Sequence, residues 1–95
     1  MLTAPEIEAR LRQDLPQWAY VDGAIARQYR LGDYKRSVLF VAAIGLLADS
    51  ADHHPDILLT YGSVEVRLLT HDAKSVTAKD FALAGKIEQI FQAQA

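Results

Sequence analysis

No cysteine occurs anywhere in the chain. Disulfides, thiol nucleophiles and cysteine-ligated metal sites are therefore excluded. An excess of positive charge is also missing. Ten basic residues are mixed with twelve acidic ones for a net charge of −2, and no basic stripe favours a nucleic-acid backbone. Long apolar runs are absent too. The longest, Val38–Ala48, is interrupted by Gly45 and falls well short of the ~20 residues that span a bilayer. The N-terminal stretch carries Glu6 and Glu8 and lacks the basic-then-apolar pattern of a signal segment. The expectation is a soluble, cytoplasmic protein with neither a nucleic-acid nor a membrane partner.

Ninety-five residues predict one domain over 1–95. A chain of this size buries roughly 60–65% of its unfolded surface, enough for one modest core. A pocket in it should be shallow or completed by a second copy. The apolar fraction of 51% is high for so short a chain, which predicts some apolar surface buried between subunits.

The order of elements is readable. Thr3 and Glu6 have capping-box spacing, Pro5 suits a first turn, and Leu2 and Ile7 stand at staple positions. Ile7, Leu11 and Leu15 then repeat at helical spacing until Pro16. Gln17–Val21, the turn Asp22-Gly23 and the alternating Ala24–Leu31 predict a hairpin. Asp33 caps a second helix to about Ser50, apolar over more than one stripe: Val38, Val41, Ala42 and Gly45 on one, Phe40, Ile44 and Leu47 on another. Ile57–Tyr61 and Val64–Thr70 around Gly62-Ser63 predict a second hairpin. Thr77 and Asp80 open a last helix whose core face is Phe81, Ala84, Ile87 and Phe91. The fold class is α+β, in the order α-β-β-α-β-β-α, with one four-stranded antiparallel sheet and the helices on one face.

Chemistry concentrates between Asp49 and Asp56. His53 and His54 are adjacent there, Asp49, Asp52 and Asp56 surround them, and Pro55 follows; His71 comes later, at the end of a strand. Histidine titrates near neutral pH, at ~6.5 when unperturbed. On a strand, adjacent histidines would face opposite ways. In a loop before proline both can reach one cavity, and Pro55 holds His54 extended. A carboxylate on one ring nitrogen would set the tautomer, with Asp49, Asp52 and Asp80 as the candidates. Three readings stand at this point: histidines with no shared role, a three-histidine zinc site, or metal-free general acid–base catalysis. Trp18 and the tyrosines read as core or interface residues, with Tyr61 retained for its nearness to the loop.

From about Trp18 to Phe91 the chain resembles the pterin-4a-carbinolamine dehydratases. The carriers are Asp49, the triplet His53-His54-Pro55, Tyr61, Thr70-His71, Asp80 and Phe81-Ala82-Leu83-Ala84. The resemblance implies the α-β-β-α-β-β-α fold, in homodimers or tetramers of two dimers. It implies loss of water from a 4a-hydroxytetrahydropterin to give the quinonoid dihydropterin, which recycles the cofactor of aromatic amino acid hydroxylases. Neither metal nor organic cofactor is implied. His53, His54 and His71 become the catalytic and pterin-binding residues, with His53 and His71 as the proton-transfer pair and His54 positioning the ring. Asp49 and Asp52 are placed near the pterin. Asp80 orients a histidine or caps the last helix, and Thr70 offers backbone groups to the pterin's amide edge.

The chain departs from the family pattern in three places. Ile57 stands where animal members have tryptophan, Lys74-Ser75 where Gly-Gly is common, and the first hairpin is about two residues shorter than theirs. The same fold also serves without catalysis, as Rubisco assembly factors of the carboxysome and as a dimerisation cofactor for an animal homeodomain protein. The intact histidine set favours the dehydratase over the first of these, and nothing in the sequence marks a surface for the second.

Overall fold

The computed structural model describes residues 1–94. Three helices and four strands follow in the expected order: α1 Ala4–Asp14, β1 Ala19–Val21, β2 Ala24–Arg30, α2 Tyr34–Ala51, β3 Asp56–Leu59, β4 Ser63–Leu68 and α3 Ala78–Gln94.

Local chemistry starts and stops the elements. Thr3 and Glu6 close a reciprocal capping box on α1, and Leu2 packs against the core beside Ile7. Asp22 and Gly23 both have positive φ, 51° and 80°, as the tight turn between two right-twisted strands requires. Asp33 accepts a hydrogen bond from the Arg36 N–H at 2.8 Å and so caps α2.

The sheet is antiparallel in the order β1-β2-β4-β3. The two hairpins therefore meet through β2 and β4 at its centre. Ile25, Tyr29, Val64, Val66 and Leu68 point to the helices and are fully buried, packed with Phe40 and Ile44 of α2 and Ala84 and Ile87 of α3. The alternate residues Ala26, Gln28, Glu65 and Arg67, also paired across β2 and β4, lie on the other face.

β1 begins at Ala19 and not Gln17, β2 ends one residue early at Arg30, and the second hairpin differs more. β3 ends at Leu59, and the turn runs Thr60–Ser63, with the Thr60 N–H bonded to the Ser63 carbonyl at 3.0 Å. Tyr61 thus sits at the hairpin tip, 72% exposed, and stacks on Tyr34 at 6.5 Å between ring centroids. A four-residue strand separates it from the histidine loop, so nearness in sequence was misleading. β4 ends at Leu68, and Thr70 pairs alone with Ser75.

Only one apolar stripe of α2 enters the core, through Phe40, Ile44 and Ala48. A bare stripe lies beside the expected second one: Val38, Leu39 and Leu46 are 40%, 57% and 74% exposed, while Val41 is half-buried against the core. No helix of the described residues is long and apolar enough to cross a membrane.

Candidate active site

Sheet register brings the distant segments together. Asp56 pairs with Arg67 in the antiparallel β3–β4 ladder. The chain just before Asp56 therefore runs beside the chain just after Arg67, and the loop at His53 meets Thr70 and His71.

Each segment is held by its own backbone. Asp52 ends α2 in the left-handed conformation, φ 50°, ψ 44°. The His53 N–H then reaches back to the Ala48 carbonyl at 3.1 Å, the bond that typically closes a helix C-terminus. Thr70 and Ser75 bridge the base of the next turn, with the Ala73 N–H on the Thr70 carbonyl at 3.1 Å and the Lys74 N–H on the His71 carbonyl at 3.1 Å. Lys74 holds a positive φ of 54° there, a conformation that glycine adopts more easily.

The best-held group is Asp80, in the first turn of α3 and fully buried. Its Oδ1 lies 2.6 Å from His53 Nε2. Its Oδ2 accepts from the Thr70 hydroxyl at 2.9 Å and from the Thr77 N–H at 2.8 Å. The two roles expected as alternatives for Asp80, orienting a histidine and capping the helix, are thus filled at once by its two oxygens. An ionised carboxylate only accepts, so His53 Nε2–H is the donor. In the neutral imidazole the free lone pair is then on Nδ1. His54 Nε2 lies 3.0 Å from Asp49 Oδ1, but this pair is open to solvent, with side chains 58% and 81% exposed. His71 has no such partner; among the described residues the histidine ion pairs are His53 with Asp80 and His54 with Asp49.

His53, His54 and His71 line one open cavity of about 330 Å³ with Asp52, Pro55, Asp56, Thr70, Asp72 and Lys79. The three histidines expected to converge therefore do so, and Asp52 and Thr70 join them. Asp49 is not part of the wall and reaches it only through His54, and Asp80 acts from behind His53. Thr70's main-chain N–H is taken by the Ser75 carbonyl at 2.9 Å and its hydroxyl by Asp80, so its contribution is to hold that carboxylate. Among the described residues no group of three or more His, Cys, Asp or Glu is arranged to hold a metal ion.

Sequence reasoning missed Lys79, Asp56 and Asp72 as wall residues. Asp56 was legible as part of the acidic loop. Lys79 was not, since a lysine in the first turn of a helix ordinarily faces water.

The fold and the site first define a class: an α+β domain whose sheet register gathers three histidines, one braced by a buried carboxylate, around an open cavity. Within that class, the chain belongs to the pterin 4 alpha carbinolamine dehydratase family, whose model matches residues 1–90. A relative from Picosynechococcus sp. is 44% identical, covering 94% of this chain and 96% of its own length. One from Chloroflexus aurantiacus is 42% identical, covering 94% and 95%. Both bear the name "Putative pterin-4-alpha-carbinolamine dehydratase". A crystal structure from Brucella melitensis, described as a transcriptional coactivator/pterin dehydratase, superposes with a TM-score of 0.86 at 36% identity over 94% of this chain and 96% of that one. A pterin dehydratase-like protein described as a RuBisCO assembly factor of the alpha-carboxysome has a TM-score of 0.65 at 16% identity, covering 78% of this chain and 86% of that one. The last is a likeness of fold alone.

Proposed function

We propose that the protein dehydrates a 4a-hydroxytetrahydropterin to the quinonoid dihydropterin by histidine general acid–base catalysis, in tetrahydropterin recycling. The observation that carries this is the cavity wall: three imidazoles in different hydrogen-bonding states around one space of about 330 Å³. Family membership supports the reaction class.

The reaction breaks the C4a–O bond, removes the N5 proton and forms the N5=C4a double bond, releasing water. It needs one group to protonate the departing hydroxyl and another to accept the N5 proton. His53, with Nε2–H committed to Asp80, presents Nδ1 as the base. His71 lines the same cavity with no carboxylate partner among the described residues and serves as the acid. His54 and Asp52 position the ring. Each proton transfer of this kind contributes roughly 10²–10⁴-fold.

The test is turnover of a chemically generated 4a-hydroxytetrahydropterin, followed by the absorbance of the quinonoid product. His71→Ala should lower the rate at least about tenfold, with KM little changed, because an acid acts on the transition state more than on binding. Wild-type protein no faster than buffer would rule out the dehydratase. The assembly-factor reading would then take its place, with Rubisco capture as its own check.

The bare stripe of α2 supports self-association, as a homodimer or tetramer. Three large aliphatic side chains on one helix face, Leu46 74% exposed among them, are unusual on a chain that stays alone. Light scattering at micromolar concentration should give a mass of two chains or more. Leu46→Glu should shift it to one, since a charge buried in such an interface has no partner. A monomeric wild type would refute the interface.

A further inference from the structure

A second cavity, of about 210 Å³, lies against the first and is walled by Ala51, His53, Lys79, Ala82, Leu83 and Lys86. His53 and Lys79 belong to both walls. The two spaces therefore share as a wall the imidazole read above as the base. Their chemistry differs. The first carries the carboxylates of Asp52, Asp56 and Asp72. The second has alanine and leucine between two lysines, and no acidic residue.

Lys79, Ala82, Leu83 and Lys86 fall on one face of α3, at the spacing i, i+3, i+4, i+7. The two lysines are separated by two helical turns, about 10 Å along the axis. Among the described residues neither takes part in an ion pair, the four pairs being Arg27–Glu88, Arg36–Asp33, His53–Asp80 and His54–Asp49.

We infer that this second cavity receives the C6 substituent of the pterin, and that it selects a substituent with an apolar stem ending in carboxylate. The inference rests on the pterin reading of the first cavity. With the bicyclic ring against the histidines, a substituent leaving toward Asp52, Asp56 and Asp72 meets like charge. One leaving past His53 runs along Ala82 and Leu83 and ends between two unpaired ammonium groups. Lys79, shared by both spaces, faces the ring as well as the substituent. Lys86 touches only the substituent, which makes it a specificity residue and not a catalytic one.

Equilibrium titration with two probes tests this. One is 7,8-dihydrobiopterin, whose side chain is short and neutral; the other is 7,8-dihydrofolate, whose aminobenzoyl stem ends in glutamate. Two exposed charge contacts should make the dihydrofolate bind about five- to tenfold tighter at low ionic strength. The ratio should collapse toward one in 0.5 M salt, where the Debye length is only a few ångströms. Lys86→Gln should cut the low-salt ratio to about two- to threefold, the share left by one contact, and Lys86→Arg should keep it. Equal affinities in the wild type, or a ratio that Lys86→Gln leaves unchanged, would overturn the inference while leaving the pterin cavity standing. Failure of both probes to bind would instead strike the pterin reading itself, and this inference with it.

Discussion

Asp80→Asn should lower the proposed turnover of a 4a-hydroxytetrahydropterin by about 10²–10⁴-fold, comparable to the loss when the carboxylate behind a serine-protease histidine becomes an amide. The cause is a forced tautomer. Asp80 accepts on both oxygens: from His53 Nε2–H on Oδ1, and from the Thr70 hydroxyl and the Thr77 N–H on Oδ2. Asparagine has one accepting oxygen. The main-chain donor of Thr77 cannot turn away, so the oxygen stays on that side and the amide NH₂ faces His53. Two donors cannot share a hydrogen bond, so Nε2 gives up its proton and becomes the acceptor. The proton moves to Nδ1, the atom proposed to take a proton from N5. The base is then blocked while the ring stays in place.

Two measurements separate this from a structural effect. Imidazole ¹⁵N shifts should report Nε2–H for His53 in the wild type and Nδ1–H in the variant. In addition, His53→Ala and Asp80→Asn together should be hardly slower than either alone, because they remove one function. If the losses multiply, or the tautomer is unchanged, Asp80 acts through the fold and not through His53.

Much of this was legible from the residues in order. Thr3 with Glu6, Asp22-Gly23 and Asp33 mark element ends by local hydrogen bonding and backbone preference, so their meaning needs no distant partner. The alternation in Val64, Val66 and Leu68 marks a half-buried strand for the same reason. The histidines were visible as a set, but their pairing was not. Asp49, Asp52 and Asp80 all qualified as partners. The choice of Asp80 for His53 depends on where α3 begins relative to the β3–β4 ladder, a relation across 27 residues. Tyr61 misled because two residues beyond a strand can be near in sequence yet at the strand's far end. Lys79 and Lys86 carry no signal as a pair until the end of α2 and α3 are seen to share a cavity. Least legible of all was Glu88, because its three partners come from two distant segments, the chain before β1 and β2.

Replacing Glu88 by alanine should be the most destabilising single change outside the apolar core. Its Oε1 accepts from Trp18 Nε1 at 2.9 Å and from the Tyr29 hydroxyl at 2.8 Å, and it pairs with the Arg27 guanidinium. Arg27 in turn lies over the Tyr29 ring at 4.2 Å and the Phe91 ring at 5.1 Å. One oxygen thus ties the chain before β1, the Arg27–Tyr29 pair on β2, and α3. Arg27 and Glu88 are only 13% and 18% exposed, so alanine would strand a largely desolvated cation and two ring donors. Breaking a buried pair from one side costs about 3–5 kcal/mol. At the lower end, the melting temperature of a domain this size should fall by roughly 12–24 °C. A drop of less than about 5 °C would show the cluster to be incidental. Arg27→Met combined with Glu88→Leu should recover part of the loss, since neither charge is then left alone.

The pH dependence carries a sign that checks the same cluster. Burial alone would raise the Glu88 pKa, but hydrogen bonds from Arg27, Tyr29 and Trp18 outweigh it and hold the group below its ordinary 4.5. Burial, and next the hydrogen bond to Glu88, push the Tyr29 phenol well above its ordinary range, which keeps it a donor. For a carboxyl depressed on folding, the linked stability is complete above the unfolded value and is lost as pH falls through the folded one. The gap in melting temperature between wild type and Glu88→Ala should therefore be widest near neutrality and narrow progressively below pH 4.5. A gap that stayed constant down to the acid limit of the fold would mean that the carboxylate's charge is not what holds Arg27 in place.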